Sequence, residues 1–541
     1  MTVLNIKVGG EAGQGVQSAG FLLSKAFVRC GYHVFAIQDA MSRIRGGHNF
    51  FQIRVAEEPI GAMTREVDVL LGLDHDTLHL HRAELAPDGL AVLDAGDSGL
   101  KAEDPSVIDV PLRQLARRGG DKAILANAAA VGFVFGLTSL PFETLKALFS
   151  ETFSSEALLN GNTLAAEAGY EHARKRFSGR FRTVLTARDA PRRMFLTGNH
   201  AICLGAIAAN CRFCSAYPMS PSTPIMEYLA KKQKALGLVV EQAEDEIAAA
   251  NLAFGASVAG VRSMVATSGG GLALMSETIS LLGATEVPLV LVDCQRPGPA
   301  TGLPTRTEQG DLLFVIHTGH GEIPRAVLAP GDAQQAFYST INAFNLADRF
   351  QIPVFVLSDQ HLSDSYFTID PFDLEEVRYV TSLMSEAELS STRAYCRYRD
   401  TEDGVSPRAY PGQSRHLVCI GSDEHDEIGL ITEDASMRTR MVKKRLRKLA
   451  PLGLHIEGPE LIGPKQSPTL VLGWGSARQV LMEVVAILGE KGLDVGLLHF
   501  GALWPFPDAT TRQAVAHNPR LVCVEGNATG QLAHLVSHYT G

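Results

Sequence analysis

Short apolar runs alternate with longer amphipathic stretches over the first 177 residues of the chain. Runs of this kind are typical of buried strands, whereas apolar residues spaced three and four apart are typical of helices. Strands are predicted at 4–8, 33–37, 50–55, 67–73 and 90–93, and helices at 17–29 and 142–153. This alternation indicates an α/β domain.

Polar, basic and proline-containing residues at 179–194 interrupt the pattern, as a linker between domains does. The next section has predicted strands at 264–266 and 289–293 and predicted helices at 224–234, 244–255 and 271–282. A charged segment, 379–452, precedes a last section with strands at 469–472, 495–500 and 521–524 and a helix at 477–488. We therefore predict three α/β domains, at 1–178, 195–370 and 371–541.

Composition and charge argue against nucleic acid as a partner and against a metal-binding loop. The net charge is -10 and the pI is about 6.0, which is not the electrostatic footprint of a nucleic-acid-binding protein. The one basic cluster, 443–448, is predicted to be the solvated face of a helix. The acidic run 421–427 lacks the ligand spacing of a metal-binding loop, so we predict a solvated connection there and no metal site.

The sequence favours a cytoplasmic protein with no membrane segment. The N-terminus lacks the basic start and cleavage site of a signal peptide, and the apolar runs fall short of the roughly 20 residues that a spanning helix needs. Eight mostly isolated cysteines fit a reducing compartment. Cys211 and Cys214 are spaced as C-x-x-C but no second pair follows, so we predict a structural turn rather than an iron–sulfur or redox site.

A glycine-rich segment, 9–15, follows the first predicted strand. Its glycines, including Gly13 and Gly15, would let backbone N–H groups face an anion at the start of the next helix. The spacing departs from G-x-G-x-x-G, although Asp39 lies where a ribose-binding acid is found in dinucleotide-binding units. A tight strand-to-helix joint, an anion site and a dinucleotide site all remain open on these residues alone.

Three other segments, 216–224, 241–250 and 295–299, together offer a carboxylate, hydroxyls and a cation. On the predicted helix 244–255, an apolar stripe continuing from Ala243 through Ile247, Ala250 and Phe254 places Glu246 on its flank, nearer than the neighbouring acids. Ser220 and Arg296 could hold a substrate carboxylate. The residue pattern alone also allows a solvated acid, a turn-capping serine and a surface arginine.

These three segments resemble the pyrimidine-binding domain of the 2-oxoacid:ferredoxin oxidoreductases, which are thiamine diphosphate enzymes; 301–309 and 319–322 extend the match. Residues 13–16 and 42–54 look like the gamma domain of the same family, and 503–507 with 525–531 look like its transketolase C-terminal-like domain. The order is that of an alpha subunit with a fused gamma domain. Met219-Ser220 replaces the usual Ile-Thr, which keeps the hydroxyl but allows a different substrate preference.

The resemblance implies specific roles. Glu246 would bind the aminopyrimidine of thiamine diphosphate and act in catalysis, Ser220 and Arg296 would bind the 2-oxoacid, and coenzyme A would contact residues of the gamma domain. The expected contacts to coenzyme A are Gly13, Gly15, Arg43 and Arg45.

The resemblance also implies partners. The chain lacks the Gly-Asp-Gly…Asn-Asn motif that binds diphosphate through Mg²⁺. A beta subunit would supply this motif, Mg²⁺ and a 4Fe-4S cluster, and the assembly would be a dimer of alpha-beta heterodimers that reduces ferredoxin.

The favoured reaction is the coenzyme A-dependent oxidative decarboxylation of 2-oxoglutarate to succinyl-CoA and CO₂, reversible as a carboxylation. Pyruvate or another 2-oxoacid is an alternative substrate. A nicotinamide-dependent dehydrogenase and a noncatalytic assembly subunit are alternatives from other functional classes.

Overall fold

The computed structural model describes residues 3–41, 46–94 and 105–541. This part of the chain forms two compact units. The first runs to Leu196 and includes Ser365–Pro371; the second comprises Thr197–Asp364 and Phe372–Gly541. The domain boundaries drawn from the sequence stay predictions. Among the described residues, the helices are all too short or too polar to cross a bilayer.

The regular elements are numbered in chain order. The strands are β1 Val3–Glu11, β2 His33–Asp39, β3 His48–Ala56, β4 Val67–Gly72, β5 Leu85–Leu93, β6 Val107–Asp109, β7 Met194–Thr197, β8 Phe213–Ala216, β9 Val239–Gln242, β10 Ser263–Thr267, β11 Leu289–Gln295, β12 Ala326–Leu328, β13 Pro353–Asp359, β14 Tyr366–Ile369, β15 Glu460–Ile462, β16 Thr469–Trp474, β17 Val495–Phe500, β18 Ala502–Trp504 and β19 Leu521–Cys523. The α-helices are α1 Val16–Arg29, α2 Asp76–His81, α3 Leu112–Ala116, α4 Leu125–Leu137, α5 Phe142–Thr152, α6 Glu156–Arg176, α7 Gly198–Ala208, α8 Thr223–Leu236, α9 Glu246–Val258, α10 Gly269–Leu274, α11 Ser276–Thr285, α12 Leu312–His317, α13 Ala333–Phe350, α14 Gln360–Asp364, α15 Glu386–Ser391, α16 Ala435–Arg447, α17 Leu449–Gly453, α18 Ala477–Glu490, α19 Asp508–Val515 and α20 Gln531–Thr540.

The sheet of the first unit has the strand order β6-β5-β4-β1-β3-β2-β14-β7. Strand β1 is parallel to β4 but antiparallel to β3, and β3 in turn is antiparallel to β2. Asp39, at the end of β2, is therefore separated from β1 by β3, whereas a dinucleotide-binding βαβ unit needs the two strands adjacent. This topology does not support the nicotinamide alternative.

The glycine-rich segment 9–15 is partly strand. Gly9 and Gly10 pair with Phe50 and Asn49 of β3, so the prediction that they form a turn is wrong. The strand extends to Glu11 because the ladder with β3 continues to His48. The turn itself begins after Glu11.

The larger sheet of the second unit has the order β18-β12-β13-β11-β10-β8-β9. Strands β12 to β9 run parallel, and β18 joins antiparallel to β12. The carboxyl ends of the parallel strands therefore lie at one edge, where open α/β sheets bind ligands. A smaller sheet, β15-β17-β16-β19, completes this unit, and the predicted α/β class is confirmed.

One local prediction in the second unit is wrong. The predicted helix 271–282 is two helices, α10 and α11, which meet at Met275. Trp504 is half-buried, packs against the hydrophobic core of this unit and lies edge-on to Tyr539.

The basic cluster 443–448 is not the solvated helix face predicted from its charge. Lys444 in α16 and Lys448, the C-cap residue of that helix, are fully buried. Each ammonium group lies 2.6 Å from the carboxylate of Glu286. Burial alone would raise the pKa of Glu286, but Lys448 and Lys444, with Arg397, hold it far below its ordinary value. Lys444 and Lys448 thus belong to a buried ionic network, whereas Lys443 and Arg447 are exposed.

The acidic run 421–427 is likewise anchored rather than solvated. The Glu424 carboxylate accepts hydrogen bonds from both terminal nitrogens of Arg445, at 2.9 and 2.8 Å. His425 is almost fully buried and packs against Tyr398. Among the described residues, no group of three or more His, Cys, Asp or Glu side chains is arranged to hold a metal ion.

Candidate active site

The predicted site residues of the second unit follow three strands of its parallel sheet. Ser220 comes after β8, Glu246 after β9 and Arg296 after β11. Because these strands are parallel, their carboxyl ends bring the three residues to the same edge of the sheet.

Glu246 is the first residue of α9, and its carboxylate is buried. Asp245 precedes the helix in an extended conformation and accepts a hydrogen bond from the Ala248 N–H at 2.7 Å. This cap fixes the start of the helix at Glu246. The buried residues are Glu246, Ala249, Ala250, Ala253 and Ser257.

The apolar stripe predicted for this helix is therefore wrong in phase. Ile247 is 48% exposed, whereas Glu246 is 4% exposed. Ala243 lies before the helix and contributes no turn to it. Glu246 is thus part of the buried face rather than its flank.

The surroundings of Glu246 leave one carboxylate oxygen without a partner. Oε1 is buried and has no hydrogen-bond partner in the described chain. A Cβ atom on Gly271 would lie 2.7 Å from this oxygen and would also collide with the Thr267 hydroxyl. A glycine there keeps the space beside the carboxylate open. An unpaired buried carboxylate is costly, so the residues fit a ligand that directs an N–H group at Glu246, as an aminopyrimidine ring does.

Arg296 and Ser220 are in direct contact, but through the Ser220 backbone. The guanidinium Nη1 of Arg296 donates to the Ser220 carbonyl oxygen at 2.7 Å, next to a cis Ser220–Pro221 bond. The Ser220 residue is exposed, and Arg296 is half-buried. Burial lowers the pKa of Arg296, and the charge of Glu246 opposes this shift, so the arginine and the carboxylate interact electrostatically.

The residues proposed for coenzyme A lie in the first unit. Gly13 and Gly15 both have positive φ, 94° and 85°, and Gly15 directly precedes α1. The side chain of Asn127 donates to the Gln14 carbonyl oxygen at 2.6 Å and holds the turn. Arg43 and Arg45 lie outside the described residues.

A cavity of about 760 Å³ opens beside this turn. It lies at the carboxyl ends of β1, β4 and β5, and polar groups of its lining come from Gln14, Asp74, His75, Arg113 and Asn127. This is the position at which parallel α/β sheets bind ligands.

The C-x-x-C pair offers no reactive thiol. Both cysteines are buried, and Cys214 lies in β8, so the predicted turn is wrong at that residue. Burial raises the pKa of the Cys211 thiol to about 12 and that of Cys214 still further.

Sequence reasoning missed two acids in this region. Asp293 is fully buried and neither of its carboxylate oxygens has a partner in the described chain; Asp311 lies close enough for its charge to act on it. Burial, and then the charge of Asp311, raises the pKa of Asp293 well above its ordinary value. A signal was present, since Asp293 ends an apolar strand three residues before Arg296.

Three family models match successive parts of this chain. The family described as "Pyruvate flavodoxin/ferredoxin oxidoreductase, thiamine diP-bdg" matches residues 204–444. "Pyruvate ferredoxin/flavodoxin oxidoreductase" matches residues 5–172, and "Pyruvate:ferredoxin oxidoreductase core domain II" matches residues 468–539.

Individual relatives extend over almost the whole chain. A 2-oxoacid:ferredoxin oxidoreductase subunit alpha from Sulfolobus sp is 32% identical over 99% of this chain and 92% of its own length. The 2-oxoglutarate synthase subunit KorA of Methanothermobacter thermautotrophicus is 33% identical over 63% of this chain and 89% of its own length. The solved structure of 2-oxoglutarate:ferredoxin oxidoreductase from Magnetococcus marinus, with 2-oxoglutarate, coenzyme A and succinyl-CoA bound, has a TM-score of 0.92 and 32% identity, and covers 100% of this chain and 95% of that chain. The family predicted from the motifs is thereby confirmed: this chain belongs to the 2-oxoacid:ferredoxin oxidoreductases, as an alpha subunit.

Proposed function

We propose that this alpha subunit takes part in the coenzyme A-dependent oxidative decarboxylation of 2-oxoglutarate. The overall reaction converts 2-oxoglutarate, coenzyme A and two oxidised ferredoxins to succinyl-CoA, CO₂, a proton and two reduced ferredoxins. The observation that carries the proposal is the buried, unpartnered Oε1 of Glu246 beside Gly271, with Arg296 close enough to interact with that carboxylate. The substrate choice is supported by relatives named for 2-oxoglutarate.

Each site residue has a distinct role in this proposal. When bound, thiamine diphosphate supplies the nucleophilic carbon that attacks the keto group. Glu246 holds the aminopyrimidine ring by a hydrogen bond in a water-poor place, where a carboxylate acts strongly. Arg296 binds the carboxylate of the 2-oxoacid with the guanidinium nitrogens that Ser220 does not occupy.

The Ser220 hydroxyl assists Arg296 in orienting the substrate. Ser220 is exposed at the same edge of the sheet, so its hydroxyl can reach a bound ligand without first losing a buried contact. The reaction is reversible in principle, and a low-potential donor would drive it as a carboxylation.

The first unit is proposed to bind coenzyme A. Gly13 and Gly15 give a turn of positive φ at the start of α1, where backbone N–H groups suit a phosphate. Arg43 and Arg45 would add charge-assisted hydrogen bonds to phosphate groups. The cavity beside the turn provides room for the rest of the ligand.

The proposal requires other subunits. A beta subunit supplies the diphosphate-binding motif, Mg²⁺ and a 4Fe-4S cluster, and ferredoxin accepts the electrons. We propose a dimer of alpha-beta heterodimers in the cytoplasm, which the eight free cysteines suit.

The test is Glu246→Gln in the reconstituted complex, with exposed Glu244→Gln as the matched control. Glutamine keeps the shape but removes the negative charge, so exchange of the C2 proton of bound thiamine diphosphate should slow by about 100-fold or more. Glu244→Gln should exchange at the wild-type rate. Equal exchange in Glu246→Gln and wild type would contradict the assignment. Comparing 2-oxoglutarate with pyruvate in dye reduction by the wild type tests the substrate.

A further inference from the structure

The loop that follows Arg296 ends in a segment, Gln309–Asp311, that is fastened to the C-terminal part of the second unit. The Gln309 N–H donates to the Gly526 carbonyl at 2.7 Å, and the Gly526 N–H donates to Gln309 Oε1 at 2.9 Å. The Gln309 amide also donates to the Trp474 carbonyl at 2.9 Å. Gln309 is 4% exposed, so these bonds are shielded from water.

A second glutamine fastens the same segment. Gln531, at the start of α20, donates through Nε2 to the Gly310 carbonyl at 2.7 Å and accepts from the Leu313 N–H at 2.9 Å. Asn527 adds a hydrogen bond to the Gln309 carbonyl at 3.1 Å. Residues 525–531 thus hydrogen-bond the N–H and carbonyl groups of Gln309 and the carbonyl group of Gly310.

The opposite side of the segment contacts the proposed active site. The Asp311 N–H donates to the side chain of Gln295 at 2.9 Å, and Gln295 directly precedes Arg296. Gln295 in turn donates to the Ser358 carbonyl at 2.9 Å and is fully buried. A displacement of Asp311 would therefore displace Gln295 at the end of β11, and with it Arg296, the next residue.

We propose that Gln309 is a positioning residue for the 2-oxoacid site: it fixes Asp311 against the C-terminal loop 525–531, and Asp311 through Gln295 fixes Arg296. The inference rests on the proposed role of Arg296 in binding the substrate carboxylate. It gives the C-terminal part of the chain an indirect effect on substrate affinity, which is carried through Gln309, Asp311 and Gln295.

The principal test is Gln309→Met in the complex with the beta subunit. Methionine keeps the length and volume of glutamine but loses the two side-chain hydrogen bonds, to the Trp474 carbonyl and from the Gly526 N–H, while the backbone bond from Gln309 to Gly526 remains. The KM for the 2-oxoacid should rise about five- to tenfold, and binding of the 2-oxoacid measured by calorimetry should weaken equally. The rate of C2-proton exchange should stay within about twofold of wild type.

Gln351→Leu is the matched control. Gln351 is also buried, donates to the Ser406 carbonyl at 2.6 Å and accepts from Arg397 at 2.9 Å, but belongs to the ionic network around Glu286. Its replacement should lower the thermal midpoint without raising KM. Gln531→Met removes the side-chain hydrogen bonds of Gln531 to Gly310 and Leu313 and should raise KM as Gln309→Met does. The proposal therefore stays testable if one of the two variants fails to assemble.

A double-mutant cycle separates positioning from general loosening. If Gln309 acts through Arg296, Gln309→Met should raise KM little further in an Arg296→Ala background. Full additivity, or an unchanged KM in both glutamine variants, would overturn the inference. An unchanged KM in Arg296→Ala alone would instead contradict the proposed function, so the two failures are distinguishable.

Discussion

Fully buried Asp293 and half-buried Asp311 form a carboxyl pair that the proposed chemistry does not use. Burial raises the pKa of Asp311 to about 6, and the charge of Glu308 adds to the shift. Asp311 also packs against Gly269, where a Cβ atom would collide with its carboxylate. Like charges in a buried pair are unfavourable, so the folded chain retains protons there that the unfolded chain releases.

The pair should make stability fall as the pH rises. The ordinary aspartate pKa is about 4, and in the folded chain it is raised. As the pH rises from about 4 through the raised pKa, the folded chain binds more protons than the unfolded chain, so the free energy of unfolding decreases. The total decrease is about 1.4 kcal/mol for each unit by which the pKa is raised. Asp311→Asn removes this ionisation. Its thermal midpoint should exceed that of wild type at pH 7–8 and converge with it near pH 4.5.

Exposed Asp494→Asn serves as the control for this comparison and should follow wild type across the range. Parallel pH curves for Asp311→Asn and wild type would show that the pair does not titrate as described.

The sequence identified Glu246, Ser220 and Arg296 as candidates because they lie in motifs that resemble the pyrimidine-binding domain of the family, whereas their place after strands of one parallel sheet came from the structure. It did not predict the phase of α9, because the buried face consists of Glu246 and small residues rather than large apolar ones. Gln309 could not be found at all, since its partner Gly526 lies 217 residues away.

Helix α16 shows that the charge of a segment does not predict its burial when the ion-pair partners are unknown. A run of five cations among six residues is usually solvated, yet two of them are buried against Glu286. Glu286 is the C-cap residue of α11, with a φ of 50°, and it is buried. Neither that conformation nor a partner 158 residues away can be inferred from composition.

Lys444→Met should therefore be strongly destabilising, because it leaves part of the Glu286 charge buried without its partner. A loss of about 3–5 kcal/mol is expected from removing one member of a buried ion pair. Exposed Lys443→Met, on the same helix, should change stability by no more than about 0.5 kcal/mol. Urea denaturation followed by fluorescence measures both; equal midpoints for the two variants would refute a buried network.

In the molecule as a whole, the α/β class and the positions of about half of the strands were predictable from apolar runs, but those of β8 and β9, which precede Ser220 and Glu246, were not. The division into units was not. Strand β14 falls inside the range assigned to the pyrimidine domain but pairs with β2 in the first unit, because pairing depends on register and not on position in the chain.

The isolated chain should be colourless and inactive. It has the carboxylate and cation of the site but no diphosphate-binding motif and no cysteine set for a cluster in its sequence. Adding the beta subunit should produce 2-oxoacid-dependent reduction of a viologen dye. An iron–sulfur absorbance shoulder near 400 nm from the chain alone, after anaerobic purification, would be the contrary result.

Both large sheets are completed by strands encoded far downstream of their neighbours. Strand β2 of the first sheet pairs with β14, and β12 of the second pairs with β18, which ends at Trp504. Pairings at such separation are slow because a long loop must close before any hydrogen bond forms. During synthesis, neither sheet can be complete until most of the chain has left the ribosome. The nascent protein must therefore carry open strand edges for much of its translation, and this is the period in which it most needs chaperones.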